Sequence, residues 1–334
     1  MGYNSGMRAL RVHQLGEPIE VLKLDEVPIP TPGSDEVVIR IEASALNFPD
    51  ALMCRGGYQE RPELPFVPGF EMAGVVHQVG DSVVNVAPGD RVIGSPKLGM
   101  GCLAEYSVAV GSQLALIGDM PFDAAAALRT TYYTSHVALH RRARLQPGET
   151  VLVHAGAGGV GSAAIQLAKA HGCRVIATAG GADKVAVCRS LGADLAIDYR
   201  SQDFVAIVKE FTDGEGADVI YDPVGGDTFD QSTKVIAWEG RILIVGFTSG
   251  RIAESKTNHV LVKNYSVVGV HWATYARRDP AEDIRVHADL MRLYANGLID
   301  PLVSEIVPLV DAPQALTRLI NRGTVGKIVV HPHE

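Results

Sequence analysis

Apolar and polar positions alternate in short runs over the first third of the chain. Residues 9–13, 37–43, 72–79 and 91–94 each carry the period-two or β-branched pattern of a half-buried strand. Pro28, Pro30, Pro32-Gly33, Pro88-Gly89 and the Gly99–Gly101 stretch punctuate them. The pattern predicts a barrel-like or open all-β unit. The texture changes near Ala124, where Asp123 stands as an N-cap for an Ala-rich helix. After Glu149, apolar strands at 150–154, 174–178, 195–198, 218–222, 241–246 and 266–270 alternate with helices opening near Gly159, Asp183, Gln202 and Asp227. Strands at that spacing with crossover helices predict an α/β doubly wound parallel sheet. Two amphipathic helices follow, at 281–296 and 311–321, then a closing strand at 326–331. Strand pieces at both ends predict that the tail returns to complete the first unit. The expected division is 1–124 with 271–334, and 125–270.

Composition supports this picture and narrows the partners. A chain of 334 residues with 47% hydrophobic and 20% charged residues is long enough for two domains with buried cores. The formal net charge is −8, with no block of like charge. Nucleic acid and anionic membrane, which reward clustered Lys and Arg, are therefore poor partners. Cys54, Cys102, Cys173 and Cys188 stand singly, which predicts a reducing, cytoplasmic setting rather than a disulfide framework or a Cys-rich zinc site. No stretch reaches the roughly 18 apolar residues of a membrane helix. The first six residues are polar and lack an apolar signal core, so the folded part is expected to begin at Met7.

The sharpest chemical signal is His154-Ala-Gly156-Ala-Gly158-Gly159-Val160-Gly161. Gly156, Gly158 and Gly161 fill the G-x-G-x-x-G pattern between a strand and a helix, the context that makes it informative. The first glycine is expected to permit the tight turn, the second a close approach to a diphosphate, and the third close helix–strand packing. Helix N–H groups and the macrodipole then face the anion. Coenzyme choice is read at the end of the next strand. NAD enzymes place a carboxylate there for the ribose diol, but here the position holds Ala179 and Gly180. Asp183 reads as a cap or first-turn charge of the following helix, and Lys184 is placed to meet a 2′-phosphate. NADPH is favoured over NADH. The eleven histidines show no metal-ligand spacing, and His136 and His154 read as packed or hydrogen-bonded.

Several collinear segments resemble the medium-chain dehydrogenase/reductase superfamily, specifically its zinc-free quinone oxidoreductase (zeta-crystallin-like) branch. They are Ala45-Leu-Asn-Phe-Pro-Asp50, Arg55-Gly-Gly-Tyr58, the Pro65–Gly74 run, Gly89-Asp-Arg-Val92, the glycine loop and Tyr221-Asp-Pro-Val-Gly-Gly226. The resemblance implies a GroES-like barrel catalytic domain, a Rossmann domain and commonly a homodimer. It also implies that Asn47 and Thr134 lie near the nicotinamide, that Tyr58 meets the substrate, and that Gly246-Phe247 flanks the nicotinamide. Tyr199 and Arg322 are implied to flank the 2′-phosphate. Zinc alcohol dehydrogenases of the superfamily carry a Cys ligand where this chain has Asn47, and a His where it has Phe70. No catalytic metal is expected. Without a Lewis acid, acceptors that spread incoming charge themselves are favoured, such as quinones and conjugated carbonyls. The alternatives are a 2-enoyl-thioester reductase, with Arg55, Arg61, Arg277 and Arg278 as candidates for a CoA phosphate patch, and an NADPH-binding protein without turnover.

Overall fold

The computed structural model describes residues 6–334; residues 1–5 lie outside the described part. Two units form around their own cores. One runs to Thr130 and resumes over Pro301–Glu334; the other is Thr131–Asp300. The expected breaks at 124/125 and 270/271 therefore move, the second by a whole helical layer. The helices Trp272–Arg278 and Pro280–Ala295 stay with the second unit. His287 Nδ1 shares a 2.6 Å hydrogen bond with the Tyr133 hydroxyl, and His136 Nε2 lies 2.8 Å from Asp289 Oδ2.

In the first unit, β1 (Gly6–Val12) and β2 (Leu22–Pro28) pair as an antiparallel ribbon. A second sheet contains β3 (Glu36–Ala45), β4 (Met72–Val79), β5 (Arg91–Gly94), β6 (Tyr106–Val110) and β7 (Ala115–Leu116), joined by the tail strands Val303–Pro308 and Lys327–His331. β4 covers one edge of β3. The other edge divides: residues 36–40 pair with β6, while Ser44 and Ala45 pair with Val330 and Val329. The sheet therefore forks at β3, and its outer strands, Val303–Pro308 and β7, do not meet. Among the described residues the sheet is open, one of the two forms the sequence pattern offered, rather than the closed barrel that the resemblance implied. Apolar positions of the tail join the first strands in one core, where Leu10, Val12, Leu46 and Phe66 pack with Leu316, Ile328 and Val330. Each such side chain contributes about 1.5–3 kcal/mol by leaving water. The Ala-rich helix begins at Phe122, so Asp123 is not its N-cap. Its Oδ1 instead meets His331 Nε2 at 2.7 Å and ties the tail strand down.

The second unit carries β8 (Thr150–Val153), β9 (Arg174–Ala179), β10 (Leu195–Asp198), β11 (Ala217–Asp222), β12 (Ile236–Ile244) and β13 (Ser266–Gly269). All pair in parallel, in the order β10-β9-β8-β11-β12-β13. This is the Rossmann order, with its topological switch between β8 and β11. Leu152, Ile176, Ile197, Ile220 and Ile242 bury one face under Phe204, Val208 and Phe229 of the crossover helices. Because the strands are parallel, the segments that follow each one emerge at a single edge. That edge collects the candidate residues that follow the second unit's strands. The helix Thr131–His136 continues as a π-helical stretch, Val137–Arg142, which no sequence signal announced. No helix among the described residues is long and apolar enough to cross a membrane.

Candidate functional site

β8 delivers the glycine loop to the switch point. The left-handed residue of the turn is Ala155, at φ 51°, rather than Gly156. The glycines serve by lacking side chains. A Cβ on Gly156 would lie 2.9 Å from Cys188 Sγ and 3.0 Å from Ala177 Cβ, and one on Gly161 would lie 2.2 Å from the Ala155 carbonyl oxygen. The tight-turn role expected of Gly156 thus falls to its neighbour, and both glycines permit close packing. Gly158 caps the helix Gly159–Ala170, whose ladder begins with Ser162 N–H donating to Gly158 O at 2.8 Å. The N–H groups of Gly159, Val160 and Gly161 precede that first bond, so the helix gives them no partner. Three amides and the positive end of the macrodipole make this helix start a candidate anion cradle.

The turn after β9 shows how a ribose end would be read. A Cβ on Gly180 would lie 2.7 Å from the Tyr199 hydroxyl and 3.0 Å from Arg200 Nε, so those two side chains fill the place of an acidic residue. Asp198 Oδ1 accepts from Gly181 N–H at 2.9 Å and from Arg200 N–H at 3.0 Å, locking the end of β10 to this turn. These amide bonds hold its carboxyl below the usual carboxylate range. Lys184 stands in the first turn of the helix Ala182–Ser190, with Asp183 beside it in that same turn. Arg200 was not singled out in the sequence. The available signal was a cation immediately following Tyr199 at the end of the third strand.

Thr134 is half-buried on the helix Thr131–His136. Its neighbour Ser135 donates to Val160 O at 3.1 Å and lies 2.9 Å from the Tyr221 hydroxyl, which sets this helix against the glycine loop. Gly246 and Phe247 follow β12. Phe247 is 41% exposed, and its ring edge lies 3.0 Å from where a Gly225 Cβ would stand. Arg322, at φ 59°, belongs to the first unit and is not part of the edge that holds Lys184 and Tyr199. His154 is bonded to Thr178 Oγ1 and Ser232 Oγ, both at 2.9 Å, and burial pushes it down to about 4.

In the first unit, Asn47 stands at the start of the helix Phe48–Cys54, where β3 ends. Its side chain is buried and bonded through both Nδ2 and Oδ1. Nδ2 donates to Ala45 O at 3.0 Å and to Glu71 Oε1 at 2.7 Å, and Oδ1 accepts from Lys327 Nζ at 2.7 Å. Lys327, itself only 4% exposed, also donates to Leu46 O and Glu71 Oε1, each at 2.7 Å. Glu71 Oε2 accepts from Thr130 N–H at 2.6 Å. Asp50 Oδ2 accepts from Asn47 N–H at 2.7 Å, while its Oδ1 is buried without a partner among the described residues. Burial, with Glu71 adding to it, pushes the Asp50 carboxyl up to about 7. Phe70 packs edge-on against Tyr58 at 5.0 Å between ring centroids, which fixes Tyr58 beside this cluster. Lys327 was missed in the sequence, because its partners lie more than 250 positions away.

A family model described as the alcohol dehydrogenase GroES-like domain matches residues 33–119, and one described as zinc-binding dehydrogenase matches residues 159–288. A quinone oxidoreductase-like protein 2 homolog of Nematostella vectensis is 38% identical over 97% of this chain and 88% of its own length. The Escherichia coli quinone oxidoreductase complexed with NADPH superposes with a TM-score of 0.90 at 31% identity, covering 97% of this chain and 100% of that one. An NAD-dependent alcohol dehydrogenase does so with a TM-score of 0.89 at 33% identity, covering 98% and 100%.

Proposed function

The chain belongs to the medium-chain dehydrogenase/reductase superfamily, in its quinone oxidoreductase branch, and from that premise we propose an NADPH-dependent oxidoreductase that reduces quinones or conjugated carbonyls without a metal. The observation that carries the reading is the amide cradle of Gly159, Val160 and Gly161 at the switch point of the parallel sheet. Those amides hold the diphosphate. The relatives differ in coenzyme, so the choice rests on this chain's own residues. Gly180 offers no carboxylate to a ribose diol, and Lys184, Tyr199 and Arg200 favour a 2′-phosphate.

When bound, a dihydronicotinamide would supply a hydride. On the second unit Thr134, Gly246 and Phe247 would orient its ring; on the first, Asn47 would meet a ribose hydroxyl. The Tyr58 phenol donates a hydrogen bond to the oxygen that gains charge. Zinc does not fit this donor set. Phe70 has no ligand atom, both hydrogens of the Asn47 amide are already donated within the protein, and the Lys327 ammonium lies 2.7 Å from both Asn47 Oδ1 and Glu71 Oε1. A charge-delocalising acceptor suits such a site. Of the cations that the thioester alternative would use, Arg55 is paired with Glu17 at 2.9 and 2.7 Å in an exposed ion pair. Four buried, unpaired cysteines support a reducing compartment such as the cytoplasm.

Fluorescence titration with NADPH and NADH, followed by an NADPH-oxidation screen over quinones, enals, enones and enoyl-CoAs, tests the proposal. Tighter NADPH binding and turnover with quinones or enones, without stoichiometric zinc, are expected. Absence of affinity for either nucleotide overturns it, and tight NADPH binding without turnover selects the binding-protein reading.

A further inference from the structure

The most unusual group in the first unit is Lys327, a buried cation held by groups from two distant segments. Its three acceptors are Leu46 O, Asn47 Oδ1 and Glu71 Oε1, each at 2.7 Å. None of the three can donate, so all three N–H bonds of an ammonium are required and all are used. The Asn47 amide is then fixed in one of its two orientations. A reversal would turn its NH2 toward Lys327, which has no acceptor, and its oxygen toward Ala45 O and Glu71 Oε1, which have no donor. Both Nδ2 hydrogens are consumed inside the protein. The remaining lone pair of Oδ1 is all that Asn47 can offer a ligand.

We propose that Lys327 is a positioning residue for the reduction, which sets Asn47 as a hydrogen-bond acceptor. Asn47 receives a hydroxyl, such as that of the nicotinamide ribose, and cannot donate to the oxygen that gains charge in the substrate. That donation falls to another group, for which Tyr58, in ring contact with Phe70 next to Glu71, is the candidate phenol. Lys327 thus does by hydrogen bonding what a bound metal does for its ligands, holding side chains in place, while remaining unable to polarise a substrate because it has no free N–H. The chemical half of this inference rests on the hydride-transfer reading. The hydrogen-bond half does not.

The experiment has two arms. In the first, selective 15N labelling of asparagine, with Asn47→Ala identifying the resonance, follows exchange of the Asn47 side-chain amide protons in the whole protein. Slow exchange is expected in the native chain. Lys327→Met alone leaves Glu71 buried and unpaired, so the comparison is made in Lys327→Met/Glu71→Gln, which removes both charges together. There, exchange of the Asn47 amide protons should accelerate at least about tenfold. In the second arm, kcat for NADPH oxidation in that double variant should fall about tenfold or more, the scale of a misplaced orienting group. Affinity for 2′,5′-ADP, which lacks the nicotinamide half, should be unchanged. Rapid exchange in the native chain, or native kcat in the double variant, overturns the proposal. If the native protein oxidises no NADPH with any acceptor, the functional reading fails, and the native exchange rate still decides whether Lys327 holds the amide.

Discussion

Two cations meet the turn after β9, and they are separable by substitution. Lys184→Ala and Arg200→Ala should each weaken NADPH binding by about 1–2 kcal/mol, the value of a charge-assisted hydrogen bond at an exposed site, and leave NADH binding within about twofold. Titration of both nucleotides against both variants checks this, and an unchanged NADPH/NADH ratio removes the residue concerned from the phosphate subsite. Gly180 makes the two modes of recognition exclusive. A side chain there must displace the Tyr199 hydroxyl, 2.7 Å from its Cβ position, so a carboxylate for the ribose diol is gained only as the phenol is lost. Tyr58→Phe keeps the ring against Phe70 and removes only the hydroxyl. Its kcat should fall about 10²-fold, with stability within about 0.5 kcal/mol, if the phenol donates to substrate oxygen. Full activity assigns the proton to water.

The glycine loop works as an element because its backbone closes on itself. Gly161→Ala drives a Cβ to 2.2 Å from the Ala155 carbonyl, and neither partner is a movable side chain. The helix start must shift, at a cost of about 2 kcal/mol or more, and NADPH affinity should fall with the melting temperature. Retained affinity would show that the cradle tolerates displacement. This loop was legible in sequence because it is local: eight consecutive residues carry strand end, turn and helix start. The six parallel strands were legible for the same reason, and β10 was placed with its observed bounds. What escaped notice depends on distant pairing. The fork at β3 arises from partners at Val329 and Val330, and residues 271–300 join the second unit through Tyr133 and His136. The Asn47 cluster was half visible. Asn47, Asp50 and Glu71 stood in recognisable motifs, while the cation that organises them lies near the end of the chain.

Taken whole, the molecule should be acid-labile for a specific reason. Burial lowers His154 to about 4 and, aided by His136 and His171, lowers His140 to about 4, from 6.5. Each is neutral when folded and protonates on unfolding, so its stabilisation is complete above pH 6.5 and declines as the pH falls toward 4. Asp50 acts oppositely. Its carboxyl is raised from 3.8 to about 7, so its contribution is present below 3.8 and is lost as the pH rises through 7. Two groups against one leave a net of about one proton, or roughly 1.4 kcal/mol of stability lost per pH unit of acidification between about 6.5 and 4. Denaturant titrations at stepped pH measure this slope, and His154→Gln should remove about one proton of it. A slope of opposite sign would contradict the assignment. β13 ends the sheet with Ser266, Val267 and Gly269 exposed, an edge able to pair with its copy. Sedimentation should report a homodimer that Val267→Pro dissociates, and a monomeric native chain would count against it.

The first unit is discontinuous, with Thr131–Asp300 set between its two stretches. On the ribosome the inserted unit emerges whole and can close first, whereas the earlier-made strands wait for Lys327 before Glu71 has its counterion. A nascent chain halted before that residue would carry a finished nucleotide fold attached to an unneutralised, half-built partner. Chaperone engagement during synthesis should therefore concentrate on the segment translated first rather than on the one translated later.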